Sequence, residues 1–188
     1  MSKKVLVILA DGFEEVEAIA PIDILRRAGL EVVVAGLSGR EQISARGLRV
    51  TCDALLSDVR DQTASFDACI LPGGGKGAEN LAASRVVGDV VVSMHKAGKL
   101  IAAICASPAV VLAPLGILEG RKATCYPGTQ KFLGAGVEYR EENVVKDGNI
   151  LTSRGPGTAL VFGLAVLESL CGPASRDKIA RDMLVAGE

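Results

Sequence analysis

The sequence predicts an α/β sandwich with a mostly parallel central sheet. Largely apolar runs at residues 5–10, 66–71 and 100–104 lack polar alternation, which is typical of strands covered on both faces. Segments with a helical spacing of apolar residues separate these runs. Strands that alternate with helices indicate a parallel sheet with helices packed against it.

Each element of the first half follows from a local pattern. After the strand at 5–10, acids in the first turn, arginines in the last turn and Gly29 as a cap predict a helix at 13–29, with Pro21 as a kink. Residues 30–37 form the next predicted strand. Residues 38–63 carry short β-branched pieces and predict small strands with a turn of helix. One amphipathic helix is predicted at 78–97.

The second half continues the alternation. Pro108 suits the first turn of a helix that follows the strand at 100–104. Residues 121–127 predict a short strand that ends in a loop, where Tyr126 is placed to enter a cleft. Asp147-Gly148 lies between two apolar pieces and predicts a hairpin over 144–153. Helices are predicted at 159–170 and 175–185.

Length and hydropathy indicate one domain over residues 1–188. Hydrophobic residues make up 49% of the chain and the mean hydropathy is +0.35. No run approaches the roughly 18 apolar residues of a membrane span, so we assign the apolar excess to a buried sheet. The start of the chain carries no pattern typical of a signal peptide, and we expect a cytoplasmic protein without membrane contact.

Charge and cysteine content exclude several classes of function. The net charge is −1, no block of like charge occurs, and aromatic residues are few, so direct nucleic-acid binding is disfavoured. The five cysteines are widely spaced and form no C-x-x-C pair, which argues against a disulfide framework or a metal site. We expect the single histidine, His95, to be solvated or at a helix end. The cysteines other than Cys105 are expected to be buried: Cys52, Cys69, Cys125 and Cys171.

Cys105 stands where the strand at 100–104 turns into a helix. A nucleophile on such a turn is held clear of the sheet, and nearby backbone N–H groups and the positive end of a helix favour a thiolate. The alternative is a small buried hydrophobe, the usual fate of a free cysteine. Position alone does not separate these interpretations.

Two further strand ends carry residues suited to act with this thiol. The strand at 5–10 leads into Glu14, Glu15 and Glu17, and an acid one turn into the helix could reach Cys105 as a general acid or base, although a solvated helix face is the plainer interpretation. The run Gly73-Gly74-Gly75 follows the strand at 66–71. Such a run either allows backbone amides to approach a ligand or forms a flexible turn. It is not followed by the Lys-Ser or Lys-Thr pair of a phosphate-binding loop.

Several motifs together resemble the ThiJ/PfpI superfamily, in the branch of Parkinson disease protein seven and its bacterial relatives. They occur in family order along nearly the whole chain: Leu6-Val-Ile-Leu-Ala10, Glu14-Glu15-x-Glu17, Leu25-Arg-Arg-Ala-Gly29, Leu71-Pro-Gly-Gly74, Ala102-Ala-Ile-Cys-Ala106 and Leu151-Thr-Ser-Arg-Gly-Pro-Gly-Thr158. The resemblance implies a flavodoxin-like three-layer sandwich, a homodimer and no cofactor. It implies a Cys105 thiolate with Glu17 hydrogen-bonded to it. It also implies binding contacts from the backbone of Gly73, Gly74 and Ala106. Arg46, with Arg27 of the other subunit, would line the pocket.

The chain departs from this branch at two positions. Tyr126 precedes Pro127 where the branch often has histidine, so Glu17 is expected to carry most of the proton transfer, with Tyr126 as a positioning group. Ser107 follows Ala106 where glycine or alanine is frequent. Because no histidine is adjacent to Cys105, a Cys-His hydrolase, and with it proteolysis, is disfavoured.

The resemblance implies two alternative functions. The first is a cysteine-dependent glyoxalase or deglycase that acts on methylglyoxal, glyoxal or early glycation adducts of proteins and nucleotides. The second is a non-enzymatic redox sensor or chaperone that works through oxidation of Cys105. Both use Cys105 and Glu17, so the sequence leaves the choice between them open.

Overall fold

The computed structural model describes residues 2–185, in which a seven-stranded sheet is surrounded by helices. The strands are β1 (Lys4–Leu9), β2 (Glu31–Gly36), β3 (Glu41–Ile43), β4 (Arg49–Thr51), β5 (Ala54–Leu55), β6 (Ala68–Leu71), β7 (Leu100–Ile104), β8 (Lys122–Ala123), β9 (Glu138–Tyr139), β10 (Val144–Asp147) and β11 (Ile150–Ser153). The α-helices are α1 (Glu15–Arg27), α2 (Leu56–Val59), α3 (Gly75–Ala83), α4 (Arg85–Lys96), α5 (Ala159–Cys171) and α6 (Pro173–Asp182).

The main sheet has the strand order β10-β11-β7-β6-β1-β2-β5. All neighbours pair in parallel except β10 and β11, which form the predicted hairpin. This arrangement confirms the predicted mostly parallel sheet of the flavodoxin-like class. Because β1, β6 and β7 are neighbours, the segments that follow them meet at one edge of the sheet.

The core lies around the three central strands. Nearly every side chain of β1, β6 and β7 is fully buried, which explains their continuous apolar runs. Helix α1 packs against α5, and the contact passes through Gly163 of α5. A Cβ atom at Gly163 would lie 2.7 Å from Ile24 Cδ1 and 3.0 Å from Pro21 Cα. The absence of a side chain at this position therefore sets the distance between the two helices.

Two predicted helices differ from the structure. The single helix predicted at 78–97 is two helices, α3 and α4, because Ser84 is extended and its hydroxyl oxygen accepts a hydrogen bond from the Val87 N–H as an N-cap. Pro21 does not interrupt α1, which continues through it. Proline provides no N–H, so one carbonyl of the preceding turn lacks its helical donor, and the proline packs against Gly163.

Two more elements are short. The helix that follows Cys105 is a π-helix, Pro108–Leu112, in which the Ala113 N–H donates to the Pro108 carbonyl at 3.0 Å. Pro114 comes next and provides no N–H to extend it. The strand predicted at 121–127 is paired only over β8.

Three of the four cysteines other than Cys105 are buried as predicted, and the histidine lies at a helix end as predicted. Cys52, Cys69 and Cys125 are buried, and His95 lies in the last turn of α4. Cys171 is exposed, so the prediction that it is buried was wrong. It is the last residue of α5, where the helix leaves the core. Within residues 2–185, no helix has the length and apolar character needed to cross a membrane.

Substitution of Gly163 by alanine tests the packing of α1 on α5. The added methyl group meets the Pro21 backbone, so we expect Gly163→Ala to lower the free energy of unfolding by about 1–3 kcal/mol. Denaturant unfolding measures this value. Gly88→Ala in α4 is the matched control, because its methyl group would meet only the flexible end of Leu115, at 3.3 Å. Equal stability of the two variants would contradict the packing argument.

Candidate active site

Cys105 occupies a sharp turn at the end of β7. Its φ angle is +66°, in the left-handed region that residues with side chains rarely adopt. Its backbone is fixed on both sides: the N–H donates to the Ser153 carbonyl at 2.9 Å, and the carbonyl accepts from the Tyr126 N–H at 2.8 Å. The residue is 8% exposed. The thiol is therefore held in a strained but well-fixed position at the edge of the sheet.

Glu17 points into the same place from the first turn of α1. Its side chain is fully buried, and Oε2 accepts a hydrogen bond from the Gly73 N–H at 2.8 Å. Among the described residues, no hydrogen-bond partner satisfies Oε1. A buried carboxyl with one unsatisfied oxygen is rare in proteins, and such groups cluster at functional sites.

Gly73 brings the acid and the thiol together. A Cβ atom at this position would lie 2.5 Å from Cys105 Cβ and 2.7 Å from Glu17 Oε2. Any side chain would therefore push the two groups apart. The neighbouring Gly74 has a φ angle of +86°, which also favours glycine.

Burial dominates the electrostatics of the pair. Burial raises the pKa of Glu17 to about 7, against the lowering effect of the Cys105 thiol and the Gly73 N–H. Burial and the nearby Glu17 carboxylate raise the pKa of Cys105 to about 12, while the N–H groups of Gly74 and Ala106 lower it. Each negative charge disfavours the other, so the two groups titrate as a pair.

Tyr126 lies beside this pair. Its ring is packed against Gly155, where a Cβ atom would lie 3.2 Å from Tyr126 Cδ2 and 4.0 Å from Glu17 Oε1. The side chain is 47% exposed and lines a cleft of about 220 Å³ with Pro127, Arg154 and the segment 155–158. Tyr126 thus lines a cleft next to Gly155, which itself approaches Glu17.

The two arginines predicted for the pocket, with Arg27 expected from the other subunit, bond to other groups within their own chain. Arg27 is exposed, and its Nε donates to Asp23 Oδ2 at 2.8 Å within α1. The Arg46 N–H donates to Glu15 Oε1 at 2.6 Å. Within the described chain, neither arginine side chain hydrogen-bonds to Cys105 or Glu17. The Gly73 N–H, predicted as a binding contact, is occupied by Glu17.

Two residues of the site escaped sequence reasoning. The fully buried Ser107 hydroxyl donates to the Pro72 carbonyl at 2.5 Å, and Gly155 supports the Tyr126 ring. The unusual serine after Ala106 was a visible signal for the first. Gly155 lies within the motif that ends at Thr158, but nothing local indicates its distant contact.

The chain is a member of the DJ-1/PfpI family, whose model matches residues 3–169. Protein dj-1beta of Drosophila melanogaster is 45% identical over 188 residues, covering 99% of each chain. A Caenorhabditis elegans relative named glutathione-independent glyoxalase DJR-1.2 is 38% identical over 185 residues, covering 98% of this chain and 97% of the relative. The crystal structure of Drosophila DJ-1beta superposes with a TM-score of 0.95 at 44% identity, covering 100% of both chains.

The raised pKa of Glu17 makes stability depend on pH. The unfolded carboxyl titrates near 4.5 and the folded one near 7, so its contribution is present below pH 4.5 and is lost as the pH rises through 7. Glu17→Gln abolishes this loss. We expect the free energy of unfolding of the variant, relative to wild type, to increase by about 3 kcal/mol between pH 4 and pH 8.

Denaturant unfolding at several pH values measures this difference. Glu142→Gln, which makes the same change at an exposed carboxyl, is the control and should give a nearly flat difference. A flat difference for Glu17→Gln as well would show that the Glu17 pKa is not raised.

Proposed function

We propose that this protein is a cofactor-independent glyoxalase and deglycase that acts on methylglyoxal, glyoxal and their early adducts with amines and thiols. The observation that carries the proposal is the fully buried Glu17 carboxyl, with a pKa of about 7, beside Cys105. A general acid and base is most effective when its pKa is near the working pH. The glyoxalase name of the nematode relative supports the same class of substrate.

The first step forms a bond between Cys105 and the substrate. The Cys105 thiol proton first passes to the Glu17 carboxylate. The resulting thiolate attacks the aldehyde carbon of methylglyoxal, and Glu17 donates the same proton to the aldehyde oxygen. We assign to the N–H groups of Gly74 and Ala106, which lower the Cys105 pKa, the stabilisation of negative charge on this oxygen as the bond forms. The products are a hemithioacetal on Cys105 and a Glu17 carboxylate.

The second step moves hydrogen within the bound adduct. Glu17 takes the proton from the carbon bonded to sulfur and returns it to the neighbouring carbon, while the hydroxyl proton passes from the first oxygen to the second. This isomerisation converts the hemithioacetal into a lactoyl thioester. Water then breaks the carbon–sulfur bond, which releases lactate and restores the thiol. One water is consumed, and no external oxidant or reductant is needed.

Tyr126 is the proposed positioning group at the mouth of the site. Its ring packs on Gly155 and lines the cleft of about 220 Å³, and we assign substrate entry to this side. It occupies the place of the histidine that is frequent in the branch. Glu17 is the nearer acid and carries the proton transfers in this scheme.

The proposal includes a homodimer. Large apolar side chains are exposed on α1 and on the adjoining β3–β4 segment: Val16, Ile19, Ile43 and Leu48. The Gly12 N–H donates to the Ile43 carbonyl, and the Ala45 N–H donates to the Phe13 carbonyl, so the β3–β4 segment is joined to the loop that precedes α1. Arg27 and Arg46 are on the same elements. A second copy packed on these elements would cover the apolar groups and bring these arginines to the interface.

Lactate formation from methylglyoxal tests the enzymatic proposal. We expect Cys105→Ser to abolish turnover and Glu17→Gln to lower kcat by roughly 10²–10⁴-fold, because a proton carrier is lost. The assay contains no glutathione or amine buffer. Cys171→Ser is the matched control, because it removes an exposed thiol outside the site and should leave turnover unchanged.

The same preparation distinguishes the redox alternative. A wild-type protein that produces no lactate, but gains two oxygen atoms at Cys105 under mild peroxide, would reject the enzyme and support a redox sensor. Turnover that survives in Cys105→Ser would reject the thiol mechanism.

A second experiment separates the deglycase from the glyoxalase. Early adducts release methylglyoxal spontaneously, so an enzyme that acts only on the free aldehyde cannot clear an adduct faster than this release. We expect the rate of adduct loss from a freshly glycated peptide to exceed the release rate as protein concentration increases. Excess aminoguanidine, which scavenges the free aldehyde, measures the release rate. If the rate of adduct loss levels off at the release rate, the protein acts only on the free aldehyde, which supports a glyoxalase and rejects a deglycase.

A further inference from the structure

Ser107 makes an unusual hydrogen bond beside the active site. The side chain is fully buried, and its hydroxyl donates to the Pro72 carbonyl at 2.5 Å. Among the described residues, no other donor reaches this carbonyl. The contact ties the turn after β7 to the glycine segment after β6, which are 35 residues apart in sequence.

The Pro72 carbonyl belongs to the same peptide group as the Gly73 N–H. That N–H donates to Glu17 Oε2 at 2.8 Å. The Ser107 hydroxyl, the Pro72–Gly73 peptide and the Glu17 carboxyl thus form a continuous chain of two hydrogen bonds. A hydrogen bond accepted by a peptide carbonyl polarises the peptide and strengthens the bond donated by its N–H.

We propose that Ser107 is a positioning residue that orients and polarises the Pro72–Gly73 peptide, and so strengthens the hydrogen bond that holds the Glu17 carboxylate. The hydroxyl does not touch the reacting atoms in this scheme. It acts on them through one peptide group. Its effect on turnover rests on the proposed function, but its effect on the protonation of Glu17 does not.

Few other groups influence this carboxyl. The titratable side chains around Glu17 are Cys105 at the end of β7, Glu14 at the start of α1, and Tyr126 across Gly155. Glu14 Oε2 accepts a hydrogen bond from the Glu17 N–H at 2.9 Å. None of these side chains hydrogen-bonds to the Ser107 hydroxyl. Substitution of Ser107 therefore removes the bond to the Pro72 carbonyl and no hydrogen bond of these side chains.

The pH titration of the Glu17 carboxyl tests the proposal. The ¹³C signal of the side-chain carboxyl is followed by NMR and is assigned by its absence in Glu17→Gln. With Ser107→Ala the Gly73 N–H becomes a weaker donor, so the carboxylate is less stabilised and the midpoint should rise by roughly 0.2–0.5 pH units. Ser107→Gly should give the same shift. Both variants restore residues frequent in the family branch, and Ser107→Gly serves if Ser107→Ala does not fold.

Ser153→Ala is the matched control. Ser153 is also fully buried; its hydroxyl donates to the Asn143 carbonyl at 2.7 Å and lies 2.7 Å from Thr158 Oγ1, and neither contact involves the Pro72–Gly73 peptide. Alanine keeps the Ser153 backbone carbonyl that accepts from the Cys105 N–H. We expect this variant to lose stability without a shift of the Glu17 midpoint. Loss of stability in Ser107→Ala is expected in either case, because the Pro72 carbonyl loses its donor, and so it does not decide the question.

Three outcomes are decisive. A raised midpoint in the Ser107 variants but not in Ser153→Ala supports the proposal, even if wild type forms no lactate and the proposed function fails. An unchanged midpoint together with reduced stability overturns it and makes Ser107 a structural residue, even if wild type forms lactate. Equal shifts in the Ser107 and Ser153 variants also overturn it, because the effect would then be general loosening.

Discussion

The burial of the Glu17 carboxyl against the Gly73 backbone is the constraint on which the site depends. Gly73 uses both of its polar backbone groups on α1: its N–H donates to Glu17 Oε2 at 2.8 Å, and its carbonyl accepts from the Glu14 N–H at 3.1 Å. These two bonds fix the start of the helix on the end of β6. The carboxyl cannot leave for solvent without breaking the first, so the acid stays beside Cys105.

The rest of the fold supports this contact from a distance. Parallel pairing of β1, β6 and β7 brings three chain segments to one edge, and close packing of α1 on α5 at Gly163 keeps the helix at a fixed depth. The positive φ angle of Cys105 is maintained by backbone bonds to Ser153 and Tyr126. The strained backbone of Cys105 is therefore held in place by ordinary hydrogen bonds to two neighbouring segments.

Sequence reasoning succeeded where the cause is local and failed where it is distant. Continuous apolar runs identified β1, β6 and β7, and the family motifs pointed to Cys105 and Glu17. The break at Ser84 was missed because the apolar spacing continues across it, while a single hydroxyl cap starts α4 anew. The role of the Ser107 hydroxyl depends on a carbonyl 35 residues away, which no local pattern specifies.

The sequence predicts a Cys105 thiolate, but the structure raises the pKa of this thiol, because the sulfur is buried beside the Glu17 carboxylate. With Glu17 ionised, burial and the adjacent carboxylate keep the proton on sulfur. When the proton moves to Glu17, the carboxylate charge no longer opposes the thiolate. Burial still disfavours the thiolate, and the N–H groups of Gly74 and Ala106 stabilise it. In the proposed mechanism, this one transfer creates the nucleophile and the acid that protonates the aldehyde oxygen together. The proposed mechanism assigns no role to a histidine beside the cysteine, because burial raises the pKa of Glu17 to about 7.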